Sequence, residues 1–246
     1  MKVCDRGMFE GRFNVVTVCD WHVPFESPSA LAAAFAFCAK VQPQIIIIHE
    51  THDFYSLSRF SKDPKRIDSL QEELDRVSAY LHILRRECPN SRMILLRSNH
   101  LDRLKRYLWN HAPALSSLRA LKVEELLCLD DHMIEYMDAF IYKNFLFKHG
   151  DLVSVGAGMT ARRELAREGM SGASGHTHRL GQIYKRNRSG EYTWIESGCL
   201  CDLEPEWING TADWNQGVSL VSFAGSDRKT YQAFLLPIID GEILGG

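Results

Sequence analysis

The chain has 246 residues, 45% of them hydrophobic and 24% charged, with a formal net charge of -2. That is enough apolar sequence for a substantial core, and too little charge imbalance to mark a nucleic-acid or membrane protein by its overall field. Seven cysteines without regular spacing speak against a disulfide framework and for a reducing compartment.

In chain order, Met1 to Arg12 mixes charges with glycines and has no apolar signal core. Phe13 to Cys19 is valine-rich and reads as a buried strand. Ala30 to Ala39 is apolar over about ten residues, half of the roughly 20 a membrane span needs. Ser27 or Ser29 can cap it as a short core helix. Ile45 to Ile48 is an unbroken isoleucine run, as in a strand covered on both faces. Asp68 to Cys88 carries Leu70, Leu74, Val77, Leu81 and Leu84 at helical spacing, and Pro89 ends it. Met93 to Arg97 is a third strand. Strand, helix, strand, helix, strand predicts a parallel sheet.

The second half is richer in antiparallel signals. Leu101 to Leu121 reads as helix broken near Pro113, Ala139 to Phe147 as a strand from a hairpin, and Thr160 to Glu168 as helix. Tyr184 to Ser197 reads as a hairpin turning at Ser189-Gly190, with late strands at Val218 to Phe223 and Tyr231 to Leu236 and a short tail from Pro237 to Gly246. With no repeat or linker in view, residues 1–246 are expected to form one domain, in the cytoplasm and without a membrane partner. The oligomeric state is not written in the sequence.

Chemistry-bearing residues follow these strands. Asp20 and His22 lie just past the first, where open α/β sheets bind ligands. Such a pair can reach one metal ion, though D-x-H alone is common. Asn99-His100 follows the third strand and reads equally as a polar turn. His149-Gly-Asp151 follows an apolar run. Gly175-His176-Thr177-His178 reads either as alternating histidines facing two neighbouring metals or as a surface hairpin. Cys199 and Cys201 form a close pair, but no second pair at zinc-ribbon spacing accompanies them, so they read as structural. The combination carries more weight than any member, because hard oxygens and imidazoles converging from several strand ends make a two-metal cage.

Taken in order, Asp20-Trp-His22, Glu50-Thr-His-Asp53, Asn99-His100, His149-Gly-Asp151 and Gly175-His-Thr-His178 resemble the calcineurin-like metallophosphoesterase superfamily. Its pattern is D-x-H, G-D-x-x-D, G-N-H-[DE], H-G-D and G-H-x-H. The resemblance runs from about Asn14 to Asp202, and through Ser174 to Gly181 and Gly198 to Leu203 it is closest to a phage and bacterial branch. It implies a four-layer αββα sandwich of two mixed β-sheets flanked by helices. It further implies that Asp20, His22 and His178 bind one divalent ion, that Asn99, His149 and His176 bind a second, and that Glu50 bridges them. His100 would stand beside the phosphate as general acid or electrostatic stabiliser, with Asp53 orienting it. The two ions would be Mn2+, with Fe, Zn2+ or Ni2+ also suited to such ligands. The implied reaction is phosphoester hydrolysis by a hydroxide shared between ions about 4 Å apart.

The second block departs from that pattern. Glu50 stands for the bridging aspartate and adds a methylene, which moves the carboxylate by roughly 1 Å where metal distances tolerate about 0.2 Å. His49 stands for glycine and gives up its freedom at a tight turn. Ser98 replaces a second glycine. Leu101 stands where an acid is usual, with Asp102 next to it. The expected substrate is a phosphodiester, with DNA first, because Arg59, Lys62, Lys65 and Arg66 follow the second block while Arg103, Lys105, Arg106, Tyr107 and Trp109 follow the third. Arg179 and Arg103 are the single candidates for phosphate contact, and Arg162, Arg163 and Arg167 read as a solvated helix face. A phosphomonoester or cyclic nucleotide would use the same cage. The alternative is a weakly active or inactive member that binds a phosphate-containing partner.

Overall fold

The computed structural model describes residues 11–243 apart from 60, 67, 68, 206, 207, 209 and 225–229. Most of the N-terminal stretch, the first residue of the Asp68 helix and the end of the tail therefore lie outside the described residues.

Four parallel strands form one side of a seven-stranded sheet, out to its edge: β1 (Phe13–Val18), β2 (Ile45–His49), β3 (Arg92–Leu96) and β4 (Ile134–Met137). β5 (Ala139–Tyr142) and β6 (Phe145–Lys148) form a hairpin, and with β7 (Ser171–Ser174), β8 (Leu180–Asn187) and β9 (Gly190–Ser197) they make a five-stranded mixed sheet in the order β5-β6-β7-β9-β8. β10 (Gly217–Ala224), β11 (Thr230–Ile239) and β12 (Glu242–Ile243) return antiparallel beside β1, giving the order β12-β11-β10-β1-β2-β3-β4.

The layering follows from the strand period of two. Val16, Val18, Ile46, Ile48, Met93 and Leu95 face α1 (Pro28–Val41), α2 (Leu70–Glu87) and α3 (Leu101–His111). Their alternates Val15, Ile45, Ile47, Ile94 and Leu96, with Val221 and Phe223 of the same sheet, face the second sheet and pack with its Phe145, Phe147, Ala173 and Ile195. After a single helical turn, α4 (Val123–Leu126), comes α5 (Met159–Glu168), which covers the far face of the second sheet through Ala161 and Leu165 against Leu146 and Trp194. The result is two mixed sheets face to face with helices outside both. Among the described residues no helix is long and apolar enough to cross a membrane.

The helix starts follow from capping chemistry. The Ser27 side chain accepts the Ala30 amide at 3.3 Å, with Pro28 at the first helical position. Ser69 and Glu72 form a reciprocal capping box on α2. Leu74, Val77, Leu81 and Leu84 are buried as their spacing predicts.

Elsewhere the boundaries differ from expectation. Ala139 to Phe147 is two strands, because Lys143 turns with φ +56°. The later hairpin turns at Arg188-Ser189, one residue earlier than expected, since Asn187 pairs with Gly190. Helix α3 stops at His111, and two short 3-10 turns, Pro113–Ser117 and Arg119–Leu121, take the place of its continuation. The tail is not a tail at Pro237: β11 runs to Ile239 and β12 pairs back on it.

Candidate metal centre

The carboxyl ends of β1, β2 and β3 meet the loops after β6 and β7, and the five motif blocks converge there. Each is held by backbone first. The Trp21 and His22 amides donate to the Glu50 carbonyl at 3.0 and 3.3 Å, and the Gly175 amide donates to the His149 carbonyl at 3.0 Å. Five of the seven predicted ligands adopt positive φ although none is glycine: Asp20 (+55°), His22 (+53°), Glu50 (+40°), His176 (+71°) and His178 (+59°). Left-handed backbone at such residues costs on the order of 1 kcal/mol or more each, and persists where surrounding structure imposes it, as at binding sites.

The side chains divide into groups. Asp20, His22 and His178 bring one donor atom each within 4.8 Å of the others, and so do Glu50, His149 and His176. His22 Nε2 and His178 Nε2 approach to 2.9 Å. Asn99 Oδ1 lies 2.8 Å from His149 Nε2, and Glu50 Oε2 lies 2.8 Å from the same nitrogen. Glu50 Oε2 also lies 3.9 Å from His22 Nε2, so its carboxylate sits between the two histidine groups, and its Oε1 accepts the His100 amide at 3.0 Å. The longer side chain is thus accommodated. His49, in place of glycine, ends β2 as ordinary strand, and the turn that needs unusual backbone is at Glu50 instead.

Asp53 organises the cleft side. Its Oδ2 lies 3.3 Å from His22 Nδ1 and 3.0 Å from His100 Nδ1, while its Oδ1 and carbonyl oxygen accept from Arg103. Arg103 Nη2 also donates to His100 Nε2 at 2.9 Å. Asp53 therefore fixes the His22 imidazole with Nδ1 as the protonated nitrogen, leaving His22 Nε2 free to face His178.

The electrostatics suit cations. Burial opposes ionisation of Glu50, yet His149, His100 and His22 hold its carboxyl well below the usual range. Burial and the Glu50 charge push Asp20 well up. Burial, then His149, lowers His176 to about 4, and burial with His22 lowers His178 well below the ordinary imidazole value. Neutral imidazoles with exposed lone pairs beside two acids are what metal ligation requires. Asp20 Oδ1, buried, has no hydrogen-bond partner among the described residues. Such an orphan acceptor beside facing imidazole nitrogens fits a bound cation.

The other predicted residues are placed as follows. Arg103 lines a cleft of about 610 Å³ together with His22, Glu50, Asn99, His100 and His176. Arg179 does not: it donates to Asp213 Oδ2 and to the Ser154 carbonyl, both at 2.7 Å. Asp102 pairs with Arg97 at 2.8 Å and Asp151 with Arg167 at 2.8 Å, both away from the cage. Arg163 donates to the Val153 carbonyl and Ser154 Oγ, so two of the three helix arginines are engaged.

Sequence reasoning missed three supports. Glu73 accepts from the Phe54 and Tyr55 amides and so fixes the loop after β2. Its signal was available: it lies three residues after Leu70, on the apolar face of α2. Glu196, buried in β9, accepts from Thr177 Oγ1 at 3.0 Å and from the Gly158 amide at 2.5 Å, which anchors the histidine loop. Trp214 packs its ring 4.2 Å from that of His178.

Gly175 supplies a test of the cage's tolerance. A Cβ there would stand 2.6 Å from Asp20 Oδ2, although the backbone itself would accept alanine. Gly175→Ala is expected to lower Mn2+ affinity by at least about tenfold, read by isothermal calorimetry, with the far-ultraviolet circular dichroism unchanged.

No family model and no curated protein matches the chain. Among solved structures it is similar to a single mutant of Vps29 from Entamoeba histolytica, at 12% identity and TM-score 0.46, covering 94% of this chain and 96% of that one. It is similar also to Vacuolar Protein Sorting 29 from Cryptosporidium parvum, at 10% identity and TM-score 0.47, covering 94% of each chain. Vps29 from Chaetomium thermophilum is a further neighbour, at 8% identity and TM-score 0.46, covering 92% of this chain and 86% of the other. What the centre can do follows from its own side chains.

Proposed function

We propose that the protein is a phosphodiesterase dependent on two divalent cations and acting on DNA. The observation that carries this reading is the meeting of Asp20, His22, Glu50, Asn99, His149, His176 and His178, drawn from five separate loops, with His22, Glu50, Asn99, His176 and His178 lining an open cleft. Asp20, His22 and His178 would hold one ion and Asn99, His149 and His176 the other, with Glu50 between. When bound, such a pair of ions supplies charge for a phosphoryl oxygen and lowers the pKa of an attacking water. Mn2+, Fe, Zn2+ and Ni2+ all suit this mixture of imidazole, carboxylate and amide.

The chain's own contribution is positioning. Asp53 aims His22 at the first ion position and holds His100 at the cleft edge. Arg103 offers donors and charge for phosphate oxygens, with His100 beside it at the cleft edge. Helix α3 starts beside His100 and displays Tyr107 and Trp109 exposed, with Lys105 Nζ 4.7 Å from the Trp109 ring. Exposed rings beside cations, on the helix that leads away from the cleft, favour a strand whose bases can stack on them. With Mn2+ added, bis(p-nitrophenyl) phosphate is expected to be hydrolysed faster than p-nitrophenyl phosphate, and single-stranded DNA to be cut. A wide preference for the monoester would sink the diester reading, and binding without turnover of any phosphoester would leave the protein a phosphate-binding module.

A further inference from the structure

The loop after β9 brings two thiols to the back of His178. Cys199 and Cys201 are buried, and their backbone is fixed from several sides: the Leu200 amide donates to the Asp20 carbonyl at 3.1 Å, the Ser27 amide to the Leu200 carbonyl at 2.9 Å, and the Gln216 side chain to the Cys201 carbonyl at 2.8 Å. Cys201 Sγ lies 4.0 Å from His178 Nδ1, and the two sulfurs and a His178 ring nitrogen all fall within 4.8 Å of one another. The imidazole is itself pinned, with its ring against Trp214 and its carbonyl accepting the Asn215 amide at 2.8 Å. Its two nitrogens thus face different neighbours: Nε2 points at His22, and Nδ1 at the thiols.

We propose that Cys199, Cys201 and Nδ1 of His178 form a binding site for one thiophilic divalent cation of the Zn2+ class, separate from the carboxylate and imidazole cage and sharing His178 with it. Zinc takes sulfur at about 2.3 Å and imidazole at about 2.0 Å, so the edges of a tetrahedral site measure roughly 3.5 to 3.8 Å. The 4.0 Å separation of sulfur from Nδ1 needs only a rotamer adjustment to meet that. Cys201 also lines the cleft, which leaves the fourth position open to a water or a substrate atom, as in sites with three protein ligands. Soft sulfur ligands select against Mn2+ and Mg2+, which the cage can take, whereas ions of the Zn2+ class suit both sites. With both filled, His178 bridges them as an imidazolate, and occupancy of one alters affinity at the other.

The test is independent of hydrolysis. Metal-free, reduced protein titrated with Co2+ is expected to develop a thiolate-to-cobalt charge-transfer band in the near ultraviolet. The double substitution Cys199→Ser with Cys201→Ser should abolish that band and keep the weaker visible absorption of cobalt in the cage. Asp20→Asn with Asn99→Ala should do the reverse, so a failed cage and a failed thiol site read differently. Should the serine variant not fold, X-ray absorption of the Zn2+-loaded wild type decides: sulfur scatterers at about 2.3 Å are expected. A zinc shell of nitrogen and oxygen alone, or a charge-transfer band surviving both serines, would overturn the proposal.

Discussion

Replacing Glu50 with glutamine is expected to lower kcat/KM for a phosphodiester by at least about a hundredfold and to weaken Mn2+ binding in parallel. Loss of a group that merely orients a metal ligand already costs 10- to 100-fold, and Glu50 sits closer than that. Its carboxylate is buried, 2.8 Å from His149 Nε2, and accepts the His100 amide at 3.0 Å. Glutamine keeps the volume and one acceptor oxygen but removes the carboxylate charge that faces both His22 and His149. Shortening to aspartate should also be costly, because the retreat of roughly 1 Å exceeds the tolerance of metal distances. The informative variant combines His49→Gly with Glu50→Asp. If Glu50 were damage to an ancestral site, this pair would raise turnover. The structure argues otherwise, since His49 is regular strand and the local backbone places a longer acid well. Steady-state kinetics of the three variants, with calorimetry for Mn2+, separate the views: a rise in turnover for the double variant contradicts the adapted-site reading.

That distinction was invisible in the sequence, where His49 and Glu50 both looked like losses. A sequence shows which residue types changed, but not which position carries the turn. The first three strands and the helices between them were legible because buried parallel strands leave long apolar runs and because α2 keeps a helical period over five leucine and valine positions. β7 was not, since Ser171-Gly172-Ala173-Ser174 has no hydrophobic signature. Its small residues are required by the neighbour: a Cβ on Gly172 would meet the Trp194 ring at 2.6 Å. The hairpin of β5 and β6 merged into one predicted strand because Lys143 and Asn144 are not a strong turn pair. In the site, the ligand blocks were legible through their resemblance, taken together and in order, to a known family pattern. The supports were not, because Glu196 and Trp214 act through contacts between segments far apart in the chain. Arg179 illustrates the same gap: its position beside His178 suggested phosphate, but Asp213 from a distant loop already engages it.

Asp53 is where structure and chemistry are joined most tightly, and Asp53→Asn should damage both. The single carboxylate is shared by Arg103, His22 and His100. Burial opposes its charge, and His100 and His22 outweigh that and hold it well below the ordinary carboxyl range. Neutralising it leaves the largely buried Arg103 guanidinium without its counter-ion, which costs about 3 kcal/mol. It also removes the acceptor that fixes the His22 imidazole, so metal affinity should fall by roughly 10- to 100-fold. Urea denaturation of the metal-free protein measures the first effect and Mn2+ calorimetry the second. A partner substitution pulls them apart. Arg103→Met in the Asp53→Asn background removes the stranded charge and should recover most of the lost stability, because a buried pair replaced on both sides is far less costly than one broken on one side. Metal affinity should stay low, since His22 still lacks its acceptor. If the second substitution restores metal binding together with stability, Asp53 serves only to hold Arg103, and its role in aiming His22 is wrong.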